Sequence, residues 1–236
     1  MANIIITGAS SGIGFEAVLD LTAKKENTVI ALARSADKLR KLLEIANSLN
    51  PDGGVLYPAQ FDIVFGDYEE SLIPFIKSKM NKVDILINNA GALINKPFLE
   101  LENDDFARMY QTNFLGHVNM IKHVSPLMTE NSHILNISSM GGFQGSSKFA
   151  GLSAYSSSKA ALANLTECLA EEFKEKGIKV NCLALGSSQT EMFEEAFPGL
   201  QAGTLAFEMG RYVAEFAQNG HQYYNGKILP VSNTTP

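Results

Sequence analysis

The sequence predicts a doubly wound α/β fold, in which helices flank both faces of a seven-stranded parallel sheet. Three observations predict it. Strand-like apolar runs alternate with helix-like stretches along all 236 residues. The strand-like runs are apolar throughout, which is typical of strands buried on both faces of a parallel sheet. No linker rich in Pro, Gly or Ser interrupts the alternation, so we expect residues 1–236 to form a single domain.

The predicted elements alternate strictly. Strands are predicted over 4–7, 28–33, 55–61, 83–88, 133–138, 179–185 and 227–230. Helices are predicted over 14–24, 37–49, 68–80, 104–128, 154–176 and 207–219. Ligands of such a sheet bind beyond the carboxyl ends of the strands, where the strand order reverses. Functional residues are therefore expected directly after the strands.

The composition excludes some classes of partner. Hydrophobic residues make up 45% of the chain and charged residues 19%, as in an ordinary globular protein. The formal net charge of −6 argues against a nucleic-acid surface, because phosphate contacts depend on clustered Lys and Arg. No apolar stretch reaches the ~18 residues of a membrane span, and no basic segment of a secretion signal precedes the first strand. We expect neither nucleic acid nor a membrane as a partner.

The two cysteines, Cys168 and Cys182, form neither a disulfide framework nor a metal-ligand pattern. Cys168 falls in a helical pattern and Cys182 in a strand, so both are interpreted as small buried apolar residues. This usage is typical of a reducing compartment. We expect a cytoplasmic protein without a metal site.

The first predicted strand runs into a glycine-rich turn and then into a helix. The turn has the spacing G-x-x-x-G-x-G and reads Thr7-Gly8-Ala9-Ser10-Ser11-Gly12-Ile13-Gly14. Glycines allow a tight turn, a close approach of the backbone to a pyrophosphate, and close packing of helix on strand. The helix N-terminus adds free N–H groups and a partial positive charge. The turn therefore predicts a dinucleotide-binding loop.

The second predicted strand ends at Arg34. An acidic residue there would accept hydrogen bonds from the adenosine ribose and favour NAD. An Arg instead suits the 2′-phosphate of NADP, because its planar guanidinium donates to phosphate oxygens. The alternative is an ordinary solvated Arg at a strand exit. The sequence favours NADP(H) over NAD(H).

Polar residues also follow the third and fourth predicted strands. Asp62 follows the third, and Asn88-Asn89-Ala90-Gly91 ends the fourth. The Asp62 carboxylate would meet the adenine amino group of a nucleotide, or it would cap the next helix. The Asn and Gly residues form either a simple turn or a set of buried amides that fixes neighbouring strands and walls the cofactor.

Tyr155 and Lys159 open the helix after the fifth strand, four residues apart and therefore on one helix face. An ammonium beside a phenol favours the phenolate and lowers the tyrosine pKa from about 10 towards neutrality. Such a shift would make Tyr155 a usable general acid or base. The spacing alone arises often by chance, but here it follows a strand that ends in Ser138-Ser139. The combination predicts a proton-transfer site.

With these motifs, the chain from Thr7 to the last predicted strand near Pro230 resembles the short-chain dehydrogenase/reductase family. The motifs occur in the family's order: TGASSGIG at 7–14, Asp62, NNAG at 88–91, Asn113, NISS at 136–139, YSSSK at 155–159 and a loop with Thr190. Each motif is weak alone, and together they are highly specific. The resemblance implies an NAD(P)-dependent oxidoreductase built on one Rossmann-like domain.

The resemblance implies a role for each matching residue. Tyr155 would protonate the substrate carbonyl oxygen during reduction, or deprotonate the alcohol during oxidation, while the cofactor carries the hydride. Lys159 would bind the nicotinamide ribose, and Ser139 would hydrogen-bond the carbonyl oxygen. Asn113 would hold a water that links Lys159 to solvent. The implied cofactor contacts are Gly8, Ser10, Ser11, Gly12, Ile13, Gly14, Arg34, Asp62, Ile63, Asn89, Ala90, Gly91, Tyr155, Lys159 and Thr190.

The substrate end departs from the family pattern. Ser138 competes with Ser139 for the catalytic position, although the family's serine usually follows a Ser or Gly, which selects Ser139. The interval from Ser139 to Tyr155 is longer than usual, Leu185-Gly186 replaces Pro-Gly, and the lid segment 191–205 is short. These departures concern the substrate rather than hydride transfer.

The leading hypothesis is a reductase or dehydrogenase of a small, apolar carbonyl or alcohol. The candidate pocket residues are Met140, Phe143, Phe149, Leu152, Met192 and Phe193. The alternatives are a non-catalytic NAD(P)-binding regulatory protein on the same fold and an isomerase or dehydratase. The resemblance also implies a homodimer or homotetramer formed through the helices at 104–128 and 154–176.

Overall fold

A parallel sheet forms the centre of the computed structural model, which describes residues 2–233. The strands are β1 (Asn3–Thr7), β2 (Thr28–Ala33), β3 (Val55–Gln60), β4 (Val83–Asn88), β5 (Met128–Ser139), β6 (Lys179–Leu185), β7 (Ser188–Gln189), β8 (Thr204–Leu205) and β9 (Ile228–Val231). Seven of them pair in parallel in the order β3-β2-β1-β4-β5-β6-β9. The predicted doubly wound fold is confirmed, and the order reverses between β1 and β4.

Helices connect the strands. They are α1 (Gly12–Thr22), α2 (Ala36–Leu49), α3 (Ile73–Lys79), α4 (Asn103–Tyr110), α5 (Gly116–Val124), α6 (Ser153–Glu172), α7 (Glu191–Ala196) and α8 (Ala206–Asn219). π-helical turns at Tyr68–Leu72 and Gln111–Leu115 precede α3 and α5. Short 3₁₀ turns cover Phe98–Glu100, Ser125–Leu127, Met140–Gly142 and Gly220–Gln222. Within residues 2–233, none of the helices combines the length and apolar character needed to cross a membrane.

The central strands of the sheet are buried on both faces, as their apolar sequences predict. Ile4 and Ile6 of β1 pack into the core that includes residues of α1, α2 and α8. Ile5, on the opposite face, packs with residues of α3, α5 and α6. All three isoleucines are fully buried. Burial of such side chains, at roughly 1.5–3 kcal/mol each, is the main force holding the helices to the sheet.

The prediction of one regular helix over residues 104–128 was wrong. The N–H of Gly116 bonds the carbonyl of Gln111, so a π turn separates α4 from α5. The helix ends at Val124, because Pro126 in the following 3₁₀ turn has no N–H to continue it. β5 then begins at Met128 rather than at residue 133, and it pairs there with Val83 of β4. Helix ends elsewhere differ from the predictions by a few residues.

Two further differences concern the second half of the chain. The segment between β6 and α8 contains the short helix α7 and a small sheet of β7 and β8, in which Ser188 pairs with Thr204. Cys182 is buried as expected, whereas Cys168 is exposed on α6, so that part of the prediction was wrong. The helical pattern correctly placed Cys168 on a helix. Its small side chain gave no indication of whether it lies on the buried or the exposed face.

Candidate active site

A cavity of about 1070 Å³ lies at the carboxyl ends of the strands. Its volume is at the upper end of the roughly 300–1,000 Å³ of small-molecule sites, which suits a dinucleotide together with a substrate. Asn113 does not line it, whereas every other predicted catalytic or cofactor-binding residue does. Those residues are Gly8, Ser10, Ser11, Gly12, Ile13, Gly14, Arg34, Asp62, Ile63, Asn89, Ala90, Gly91, Ser139, Tyr155, Lys159 and Thr190.

The glycine-rich turn has the form of a phosphate cradle. Gly8 has φ +68°, and a Cβ on it would lie 2.6 Å from the Cα of Ala90, so both the conformation and the space require glycine. A Cβ on Gly14 would overlap the carbonyl oxygen of Gly8. Ser11 precedes α1 without capping it through its side chain, which leaves the first N–H groups of α1 for a ligand. The turn therefore fits a pyrophosphate.

Asn89 holds the glycine-rich turn in place from β4. Its Nδ2 donates to the carbonyl oxygens of Thr7 at 3.1 Å and Gly8 at 3.2 Å. In return, the Oγ1 of Thr7 accepts from the N–H groups of Asn89 and Ala90, both at 3.0 Å. These bonds join the strand ends at which the sheet order reverses. The Asn89 amide is thus engaged within the protein, although the residue also lines the cavity.

Asp62 forms a turn and does not cap the next helix. Its Oδ1 accepts from the N–H of Val64 at 2.8 Å. The following helical segment begins at Tyr68, and its capping residue is Asp67, which accepts from the N–H of Glu70. The alternative interpretation of Asp62 as a helix cap was therefore wrong, because five residues of loop separate it from the helix.

Arg34 stands exposed at the edge of the cavity, beside the start of α2. Its carbonyl accepts from the Nε2 of Gln60 at 2.9 Å, which fixes the backbone at this strand exit. Ser35 caps α2 by accepting from the N–H of Lys38. Within residues 2–233, the Arg34 guanidinium takes part in none of the ion pairs. It is therefore available to a phosphate.

Tyr155 and Lys159 lie one turn apart near the start of α6, opposite the end of β5. Tyr155 and Ser139 line the same cavity, and the Ser139 side chain is close enough to the phenol to lower the pKa of Tyr155. The Ser139 Oγ also accepts from the N–H of Gly141 at 3.1 Å. Ser138 points elsewhere, since its hydroxyl donates to the carbonyl of Lys159 at 2.8 Å. Of the two serines, Ser139 is the one beside the tyrosine.

The electrostatics of the pair differ from the expectation. Burial raises the pKa of Tyr155 above its usual value, against the opposing effect of the Ser139 side chain. Burial also lowers the pKa of Lys159 to about 8. The expected lowering of the tyrosine pKa is therefore absent from the protein alone. The Lys159 Nζ donates to the carbonyl of Ile137 at 2.8 Å, and burial disfavours the charged form of both side chains.

Asn113 lies in the π turn and connects three parts of the site. Its Oδ1 accepts from the N–H of Ala92 at 2.8 Å, and its Nδ2 donates to the carbonyl of Ala92 at 2.9 Å. The same Nδ2 donates to the Oγ of Ser158 at 3.0 Å, and that hydroxyl donates to the carbonyl of Tyr155. Asn113 is fully buried. It thereby ties the loop after β4 to the first turn of α6.

His117 is a site residue that the sequence reasoning missed. It is fully buried, and its Nε2 lies 2.8 Å from the carbonyl oxygen of Ala90. A carbonyl only accepts, so Nε2 carries the proton. Burial, and then the nearby Lys159 ammonium, lowers the pKa of His117 to about 3, which keeps the ring neutral. Its place one turn after Asn113 on the same helical face was the available signal.

The substrate end of the cavity is apolar. Five of the six candidate residues line it, namely Met140, Phe149, Leu152, Met192 and Phe193, whereas Phe143 does not. The long loop that carries Phe149 is held by its own side chains. The Lys148 Nζ donates to the carbonyl of Phe143 and to the Oγ of Ser146, and Ser146 donates to the carbonyl of Phe143. On the other side, Thr190 caps α7 by accepting from the N–H of Phe193.

Comparison with known proteins identifies the family. The sequence profile of the short chain dehydrogenases matches residues 2–201 of this chain. The chain belongs to the short-chain dehydrogenase/reductase family. Its members are NAD(P)-dependent oxidoreductases, and this protein is one of them. The 7alpha-hydroxysteroid dehydrogenase of Escherichia coli K12 is 34% identical over 189 residues, which cover 79% of this chain and 71% of that protein.

Solved structures of family members agree with this assignment. A 7 alpha-hydroxysteroid dehydrogenase in complex with NADH and 7-oxo glycochenodeoxycholic acid superposes with a TM-score of 0.86 at 28% identity, covering 99% of this chain and 94% of that one. A short chain dehydrogenase from Shigella flexneri 2a, in complex with NADP, superposes with a TM-score of 0.85 at 25% identity, covering 97% and 96%. Because these two relatives were solved with different cofactors, the preference of this chain has to be argued from its own residues.

Proposed function

We propose that this short-chain dehydrogenase/reductase transfers a hydride between NADP(H) and a small, apolar carbonyl or alcohol, with Tyr155 as the general acid or base. The observation that carries the proposal is that the Tyr155 and Ser139 hydroxyl groups lie near each other at the wall of the cavity, with Lys159 one turn away. Two hydroxyl groups that meet in this way form a site for one substrate oxygen.

The residues divide the work of the reaction. A bound NADPH would supply the hydride to the carbonyl carbon, and Tyr155 would donate a proton to the carbonyl oxygen. Ser139 hydrogen-bonds the same oxygen and stabilises the charge that develops on it. Lys159 would hold the nicotinamide ribose hydroxyls, and the glycine-rich turn would hold the pyrophosphate. With Lys159 at a pKa of about 8, its ammonium form is present at neutral pH to support the phenolate.

The neutral, apolar character of the substrate follows from the cavity lining. Met140, Phe149 and Leu152 contribute from the segment before α6, and Met192 and Phe193 contribute from α7. The nearby Lys148 ammonium is already bound to Phe143 and Ser146 of its own loop. The Lys148 ammonium is therefore occupied within its own loop, and the apolar side chains favour an uncharged substrate.

A panel of aldehydes, ketones and alcohols tests the reaction directly. We expect NADPH consumption, followed by its absorbance, with neutral carbonyl compounds that carry apolar or aromatic groups. Carboxylate-bearing analogues of the same size serve as controls and should react more slowly. Absence of turnover with every compound, despite tight NADPH binding, would favour the non-catalytic alternative.

The preference for NADP(H) rests on Arg34. Its exposed guanidinium lies at the end of β2 and beside the cavity. We expect Arg34→Ala to weaken NADPH binding by roughly ten- to a hundredfold, since charge-assisted hydrogen bonds contribute about 1.5–3 kcal/mol. NADH binding should change little. Dissociation constants of both cofactors, measured by fluorescence titration, check this, and an equal loss for NADH would contradict the assignment.

We also propose that the chain forms a homodimer or homotetramer through the faces of α4, α5 and α6. Large apolar side chains are exposed beside these helices, including Leu99 at 94%, Phe98 at 66% and Leu115 at 39%. Side chains of this size are usually covered in the working form of a protein.

We also propose that the protein is located in the cytoplasm. Both cysteines are free thiols, and Cys168 is exposed. An exposed thiol persists in a reducing compartment, where disulfides are rare.

A further inference from the structure

An ion pair crosses the mouth of the cofactor cleft. The Lys38 Nζ lies 2.6 Å from the Oε2 of Glu191. Lys38 belongs to the first turn of α2, directly after Arg34 and Ser35, whereas Glu191 is the first residue of α7. Both residues line the cavity. The pair thus joins α2 to α7 across the cleft. Under the proposed function, α2 lies at the adenosine end of the cofactor and α7 at the substrate end.

The start of α7 also touches the glycine-rich turn. A Cβ on Gly12 would lie 3.1 Å from the Cγ2 of Thr190, the capping residue of α7. The first turn of α7 is therefore held from two sides, by Lys38 and by the turn that would carry the pyrophosphate. A ligand that changes the contacts of Lys38 therefore also removes or changes one of the two contacts of the first turn of α7.

The two basic side chains at this end of the cleft are not equivalent. Within the described residues, Arg34 takes part in no ion pair, while Lys38 is occupied by the Glu191 carboxylate. A phosphate on the 2′-oxygen, which Arg34 would bind, would approach Lys38 as well. That phosphate and the Glu191 carboxylate are both anions, so they compete for one ammonium.

We propose that Glu191 is a determinant of cofactor specificity that acts through Lys38. Its carboxylate competes with the 2′-phosphate for the Lys38 ammonium. This competition weakens the binding of NADP(H) and so reduces its advantage over NAD(H). When a 2′-phosphate takes Lys38, Glu191 is released and the first turn of α7 loses this contact. The inference deepens the proposed function, because it rests on an NADP(H) site at the end of β2.

Equilibrium binding tests the competition without turnover. The probes are NADPH, NADH and adenosine 2′,5′-bisphosphate, titrated against the wild type, Glu191→Gln, Lys38→Met and the double variant. We expect Glu191→Gln to tighten the binding of NADPH and of the bisphosphate by about two- to fivefold, which is the range of an exposed ion pair. NADH binding should stay constant. In the Lys38→Met background, Glu191→Gln should have no further effect.

Glu195→Gln is the matched control, since it removes the same charge from the same exposed helix and Glu195 is not paired with Lys38. An equal gain from Glu195→Gln, an equal gain for NADH, or a gain that persists without Lys38 would each overturn the proposal. Failure of the proposed function shows separately, in the wild type alone. If the wild type prefers NADH, the NADP(H) assignment fails. The competition is still tested in that case, because Glu191→Gln and Glu195→Gln should differ in their affinity for the bisphosphate.

Discussion

Tyr155→Phe is expected to lower the turnover number by about 10²–10⁴-fold, the usual contribution of a general acid or base. The change removes one oxygen atom and leaves the ring, so the packing around α6 is preserved. Because Ser139 keeps its hydrogen bond from the N–H of Gly141, the oxygen-binding group stays in place. Steady-state rates with the most active compound of the carbonyl panel, together with NADPH dissociation constants, measure the effect. Cofactor binding should remain nearly unchanged.

The control for this variant is Tyr223→Phe, which removes the same hydroxyl from a side chain that is 79% exposed. It should retain wild-type rates. A Tyr155→Phe protein that also kept wild-type rates would exclude the mechanism, whatever the cofactor. A parallel loss of NADPH binding would show instead that the hydroxyl serves the cofactor site more than the chemistry.

Asn113→Ala is expected to have the largest effect on stability. The change leaves the N–H and carbonyl groups of Ala92 and the hydroxyl of Ser158 without their partner, inside the protein. Buried groups that lose a hydrogen bond cost about 1–3 kcal/mol each, so a loss of about 2–4 kcal/mol is a moderate expectation. For a chain of this size, that corresponds to a fall in Tm of roughly 5–15 °C. Thermal unfolding followed by circular dichroism checks it.

A second readout distinguishes positioning from stability alone. Asn113 reaches the backbone of Tyr155 through Ser158, so its loss should also lower turnover at temperatures where the variant is folded. Gln111→Ala, which removes an exposed amide from the same π turn, should change Tm by less than about 1 °C, as surface substitutions usually do. If Asn113→Ala and Gln111→Ala had the same Tm, the hydrogen bonds of Asn113 would not stabilise the loop.

The sheet was predictable because each of its strands contains an apolar run. β2, for example, has the predicted bounds, and all but its first residue are buried. The parts that were missed lack such a signal. β7 and β8 have two residues each, which is too short for a hydrophobic period. The first part of β5 carries exposed polar residues and a left-handed Asn131, a pattern typical of loops.

The site was predictable in its position, and less so in its contacts. Residues that follow parallel strands gather at one edge of the sheet, so Gly8, Arg34 and Tyr155 meet in one cavity as expected. The direction of the Tyr155 pKa shift depends on how deeply the ring is enclosed, which spacing does not reveal. The pairing of Lys38 with Glu191 joins residues far apart in the chain, and no local pattern marks it. The catalytic roles stay predictions.

The loop before Tyr155 has a consequence for how this protein can diversify. Lys148 and Ser146 satisfy carbonyl groups of the loop itself, and their bonds go to Met140, Phe143 and each other rather than to Tyr155, Lys159 or Asn113. A segment that is held together internally can change length or sequence while the proton-transfer residues keep their places. Under the proposed function, substrate choice and reaction chemistry belong to separable stretches of one chain, and we expect a graft confined to residues 143–149 to alter the first while sparing the second.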